Sequence, residues 1–316
     1  MERITGLDFL RGLAAFFIVG CHLQLIDYKP SAQRLMWFCD MNVGVFSALA
    51  GYLMAGRFSE KIDWHRWGQW CMERVRRLMP SYVVWTFIFL VANIMFQLLV
   101  NGTVKHRYFS ARFWCNVVIW GSAATHLWFI AALLYSQIIF KAIAFVMRAW
   151  MWLIVGVSLV IVAQFWDSWY ARYPIRLAAF LALGCGLRMA KGPKAVRCSL
   201  FSIALITVGL LLHLFAGRIV PGFVKDFLAV SLLLPGFALL PVTKFAQLSR
   251  FLADASMAVY LIHPLVTVML ATIVKKIEMP PYGVATVLVV WIGGWLISFT
   301  AGTVIQKSRR LRWMVS

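Results

Sequence analysis

The sequence predicts an all-α, polytopic membrane protein of about ten transmembrane helices, with one further amphipathic helix at the cytoplasmic interface. Three observations carry this. Of the 316 residues, 62% are hydrophobic and the mean hydropathy is +0.82, whereas a soluble domain is nearer half apolar. Only 13% are charged, about half the soluble norm of roughly a quarter. The apolar residues also fall in runs of about the 20 residues that a bilayer crossing needs. A net charge of +20 would point to nucleic acid in a soluble chain. Beside membrane spans it reads as topology and contact with anionic lipid headgroups, so membrane lipid is a partner and nucleic acid is not.

The runs lie at about 5–25, 38–56, 80–100, 124–146, 149–166, 175–190, 198–216, 225–243, 252–274 and 283–305. No linker or internal repeat divides them, so residues 1–316 read as one domain. The first run lacks a basic region followed by a small-residue cleavage site and reads as a mature helix. With the N-terminus cytoplasmic, 20 of the 31 Lys and Arg fall on the inner side. The positive-inside rule therefore puts both termini in the cytoplasm.

Span one, Leu7–Leu25, carries Asp8, Arg11 and His22. Ionisable groups at membrane depth are costly and mark function by default. Arg11 and His22 are eleven residues apart, three turns plus about 20°, so they share a helix face at depths roughly 16 Å apart. Arg11 lies inward and His22 outward. Asp8 stands three residues before Arg11 and can pair with it. In span two, Gly44, Ala48, Gly51 and Ala55 form one small-residue stripe. Such a stripe admits either a neighbouring helix or a thin ligand arm.

Residues 59–79 repeat Trp64, Trp67 and Trp70 among charges, as an interfacial helix does. That helix ends in Arg74, Arg76 and Arg77, and Pro80 opens span three. Arg74 and Arg77 share a face. Two guanidiniums so placed clamp a diphosphate or a lipid phosphate. His126 and Trp128 sit at the outer end of span four, and Tyr260 and His263 near the outer part of span nine. A histidine at a wet span end is ordinarily interfacial, and neither is assigned chemistry. His65, His106 and His213 are assigned no role. The six cysteines show no C-x-x-C or Cys/His cluster, so neither zinc nor a disulfide framework is inferred.

His22 is the evident general base of span one, since imidazole titrates near neutrality. Inner arginines suit a phosphorylated donor. Together they fit transfer of a group from a cytoplasmic carrier to a hydroxyl reaching His22 from outside. A transporter or flippase of a lipid-linked or anionic substrate is the rival class, though no repeat of the kind transporters carry is visible.

The pieces LDFLRGLAAFFIVGCH (Arg-x10-His), VGVFSALAGYLMAGR, RVRRLMPSY, HLWFI and AVYLIHPL give the chain a resemblance to the acyltransferase-3 family. This family of integral membrane acyltransferases includes bacterial O-antigen and exopolysaccharide O-acetyltransferases. The resemblance implies an acyl-CoA donor, commonly acetyl-CoA, no metal, and a glycan hydroxyl acceptor at the bacterial cytoplasmic membrane. It places the essential histidine at His22, the arginine of the same motif at Arg11, and the CoA-phosphate pair at Arg74 and Arg77. Read with the small-residue stripe, a donor entering from the cytoplasm is expected to thread its arm between spans one and two. The chain departs from the family where Ala50 stands for the usual serine of span two, with Ser47 one turn earlier as a substitute hydroxyl. It also carries no appended SGNH hydrolase-like domain, so the membrane domain would complete transfer alone.

Overall fold

A computed structural model describes residues 4–23, 29, 39, 41–58, 64–101, 103, 110–120, 127–166, 169–190, 199–216, 222–241, 244–277 and 282–315. Among these there are eleven α-helices. They are α1 (Thr5–Cys21), α2 (Asn42–Ala55), α3 (Trp64–Asn101), α4 (Ala111–Trp120), α5 (Trp128–Ile143) and α6 (Ala149–Gln164). Then follow α7 (Trp169–Ala190), α8 (Ser199–Phe215), α9 (Gly222–Leu239), α10 (Ala246–Ile277) and α11 (Val284–Lys307), and a 3-10 turn at Arg312–Val315. Apart from the short α4, ten helices match the ten apolar runs, and the chain is an all-α polytopic membrane protein. The α3 segment Trp64–Leu98, α9, α10 and α11 are long and apolar enough to cross a bilayer.

Two groups of helices make the bundle. Helix α7 is the hub of the larger, flanked by α2 and α6 and touched by α5 and α9; α10 pairs with α1 and α11 in the smaller. Helix α1 joins them through α2 and α9. Leaving aside the short α4, the other ten helices alternate in direction, so the start of α1 and the end of α11 share one end of the bundle. His22 lies at the other end.

Lipid gives helices no hydrophobic reason to associate, so close packing through small residues has to do it. The stripe of α2 serves this purpose. A Cβ on Gly51 would lie 2.0 Å from the Leu181 carbonyl oxygen of α7, and one on Gly184 would lie 1.9 Å from that of Ala48. Cys185 completes the seam by donating its thiol to the Gly51 carbonyl at 3.4 Å. The stripe is therefore filled by α7, and the ligand-arm reading of it is corrected. Because backbone faces backbone there, no side chain can give way. We expect Gly184→Val to destabilise the chain by at least about 2 kcal/mol, as overpacking does. A drop in the thermal unfolding midpoint in detergent would register it; an unchanged midpoint would contradict this seam.

A second correction concerns Pro80. The sequence reading starts a new helix there, but α3 runs unbroken from the interfacial turns into the span. Pro80 costs one i→i−4 hydrogen bond, a loss that membrane helices tolerate when neighbours compensate. The next turn is held from outside. Ser81 donates to the Trp313 carbonyl at 2.9 Å and the Trp85 indole to that of Met314 at 2.8 Å. The C-terminal 3-10 turn thus buttresses the stretch that the proline weakens.

Candidate active site

Span one was read to residue 25, yet the helix closes at Cys21 and His22 is its C-cap residue, with φ −96° and ψ 5°. Leaving the helix there turns its imidazole toward α10, which runs parallel to α1. Gly12 fits against Leu252 near one end of this seam, where a Cβ would lie 2.6 Å from the Leu252 side chain. At the other end His22 meets His263. Their ring centroids are 4.7 Å apart, edge to face, and His263 Nε2 is 3.1 Å from His22 Nδ1.

Neighbouring carbonyls assign the protons, since a carbonyl can only accept. His263 Nδ1 is 2.9 Å from the Val259 oxygen, so Nδ1 carries hydrogen. In the neutral ring Nε2 then holds the lone pair. His22 Nδ1, also 3.1 Å from the Ile18 oxygen, donates its hydrogen, shared between Ile18 and His263. The lone pair of His22 therefore sits on Nε2, the atom a general base uses. When Nε2 takes a proton, the Nδ1–H···N bond to His263 becomes charge-assisted and strengthens.

His263 is fully buried and Tyr260, one turn before it, is buried, with ring centroids 6.1 Å apart. Sequence reasoning assigned His263 no chemistry, because a histidine at a wet span end is ordinarily interfacial, and the contact joins residues 241 apart. The available signal was depth: both histidines fall near the same end of spans that run in the same direction. His126 lies outside the described residues. Arg11 sits half-buried on α1, three turns from His22 and beyond hydrogen-bonding reach of it. Ser47 carries the hydroxyl one turn before Ala50. Its hydroxyl donates to the Val43 carbonyl at 3.0 Å, within its own helix, and the residue is fully buried.

The opposite end of the bundle gathers positive charge. Arg74 lies close enough to Arg77 and Arg57 for mutual repulsion, which Glu73 partly offsets. Its guanidinium sits 5.2 Å from the centre of the Trp70 ring, a cation–π contact that holds it in place. Arg57 follows the end of α2, and its carbonyl accepts a hydrogen bond from Lys141 Nζ of α5 at 2.7 Å. The Trp67 indole donates to the Ile138 carbonyl at 3.4 Å, tying the interfacial turns of α3 to α5. Arg57 and Lys141 thus join the predicted pair, Arg74 and Arg77, at this end. Among the described residues, several cations with Glu73 beside them favour an anion, and guanidiniums favour phosphate.

No curated protein and no solved structure shows significant similarity to the chain. The sequence profile of one family, described as an acyltransferase domain, matches residues 4–305. That span takes in both the histidine pair and the basic end, and the chain belongs to the acyltransferase-3 family of integral membrane acyltransferases.

Proposed function

We propose that the protein is an O-acyltransferase of the bacterial cytoplasmic membrane. It moves an acyl group, most readily acetyl, from cytoplasmic acyl-CoA to a hydroxyl of a surface or lipid-linked glycan such as O-antigen or exopolysaccharide. The observation that carries this reading is the contact between His22 and His263, which puts a lone pair on His22 Nε2. Both termini are cytoplasmic, so the basic end faces the donor and the histidine end faces the acceptor. Arg74 and Arg77, with Arg57 beside them, hold the phosphates of CoA, and Arg11 supports the helix that carries His22.

The chemistry balances at the histidine end. His22 Nε2 takes the hydroxyl proton as the glycan oxygen bonds to the thioester carbonyl carbon. The tetrahedral intermediate collapses, the C–S bond breaks, and the imidazolium returns its proton to the departing sulfur. An ester and free CoA thiol result, with His22 regenerated. The α2–α7 seam is closed to the donor's arm, so any route it takes follows another face of α2.

Radiolabelled acetyl-CoA given to inside-out membranes tests the reading. Label is expected in glycan, with stoichiometric release of CoA. Label found only in water-soluble acetate, or none at all, would overturn it. His263 has its own test. His263→Ala should lower kcat about tenfold, the worth of one hydrogen bond, and leave KM for acetyl-CoA unchanged. His263→Gln should restore the rate, since its amide oxygen can accept the same hydrogen from His22. Equal losses in both variants would reduce His263 to packing.

A further inference from the structure

We infer that a recess at the same end of the bundle as the histidine pair binds one pyranose unit of the acceptor, through Arg176, Asp226 and a wall of aromatic rings. This rests on the acyltransferase reading, which supplies the acceptor but says nothing about where it docks. The recess has a cavity volume of about 100 Å³ and opens to solvent, among the N-terminal ends of α2, α5, α7 and α9. These are the ends that share a side of the bundle with His22.

Its walls are Trp128, Tyr173, Phe180 and Phe223, and its two charged lining residues are Arg176 and Asp226. Each is held from behind. The Arg176 guanidinium lies 4.4 Å from the Phe223 ring centre and 5.5 Å from that of Tyr173. Asp226 accepts from Nδ1 of buried His213 at 2.9 Å, with Lys225 4.0 Å away. Arg176 Nε is buried without a hydrogen-bond partner among the described residues, as is Nε of Arg172 one turn earlier. Buried donors normally find a partner, and an exception asks for an explanation.

One guanidinium and one carboxylate line the recess, a donor fork and an acceptor side by side. A neutral ring with several hydroxyls satisfies both. Its oxygens accept from Arg176, its hydroxyl hydrogens go to Asp226, and its C–H face lies on the aromatic rings. The same rings lead to the site of chemistry. Trp128 touches Tyr173 and Phe129, with centroids 5.6 and 6.2 Å apart. Phe129 meets Tyr260 at 5.3 Å, and Tyr260 adjoins His263. A chain of ring contacts, buried from Trp128 onward, thus links the recess to His263.

Saturation-transfer NMR on the full chain in detergent tests this with methyl glycosides of glucose, galactose, mannose, rhamnose and N-acetylglucosamine. At least one should give a signal with the unaltered chain. Asp226→Asn, which still accepts from His213, and Arg176→Lys, which keeps the charge but loses the fork, should each weaken that binding about tenfold. His22→Ala should leave it intact. No signal from any of the five, or binding unchanged in both variants, overturns the recess as an acceptor site. A signal confined to methyl glucuronide also overturns it, since the ligand would then be an anion. Glycoside binding that survives while label transfer fails would instead count against the acyltransferase reading alone.

Discussion

His22→Ala should lower acyl transfer to glycan by at least about a hundredfold, the lower range of what a positioned general base contributes. The variant should still insert, because His22 sits past the last turn of α1 and its loss leaves that helix's backbone hydrogen bonds in place. His22→Gln sharpens the test. Its amide fills much of the imidazole's space and can donate to Ile18, but it has no nitrogen lone pair able to take a proton. It should be as inactive as the alanine variant. The measurement is label from acetyl-CoA in glycan, normalised to protein in the membrane fraction. A rate within threefold of the unaltered chain in either variant would remove His22 from the chemistry.

The second large effect lies at the other end. Arg74→Ala combined with Arg77→Ala should raise the apparent KM for acetyl-CoA by about a hundredfold or more. Two charge-assisted contacts to phosphate are lost, each worth about 1.5–3 kcal/mol. Turnover at saturating donor should change little, since these residues bind groups that do not react. High salt should mimic the variant in part, because half-exposed cations are screened. An unchanged KM in the double variant would reassign the cluster to lipid headgroups and topology.

Much of this was legible beforehand, for physical reasons that differ by residue. The spans showed themselves because a bilayer demands long apolar runs, and the ten runs became ten helices. What a run cannot show is its partner. The stripe of Gly44, Ala48 and Gly51 announced a close approach, yet only the fold reveals that Leu181 and Gly184 make it, more than a hundred residues on. Pro80 misled because proline breaks helices in water, whereas here a C-terminal turn supports the neighbouring backbone through Ser81 and Trp85. His22 stood out as an ionisable group in an apolar run. His263 did not, being one residue before a proline near a span end, where histidine is unremarkable. Arg57 and Lys141 were counted toward topology, a count that takes no notice of which loops converge. Arg176 and Asp226 left no signal, since each is a single charge near a helix start.

Helix α2 has only 14 residues, a rise of about 20 Å against a hydrocarbon core of roughly 30 Å. Its two ends adjoin the recess and the basic cluster, so α2 alone spans less than the thickness of the membrane between them. On the proposed reaction the phosphates never leave the arginines, and only an uncharged thioester arm spans the interval. The proton is borrowed from and returned to groups on one side. No net charge then crosses the bilayer, and the roughly 2.3 kcal/mol that 100 mV exerts on each moving charge has nothing to act on. The transmembrane voltage neither drives nor opposes such an enzyme, and the thioester itself is the whole energy source for modifying a glycan beyond the reach of cytoplasmic ATP.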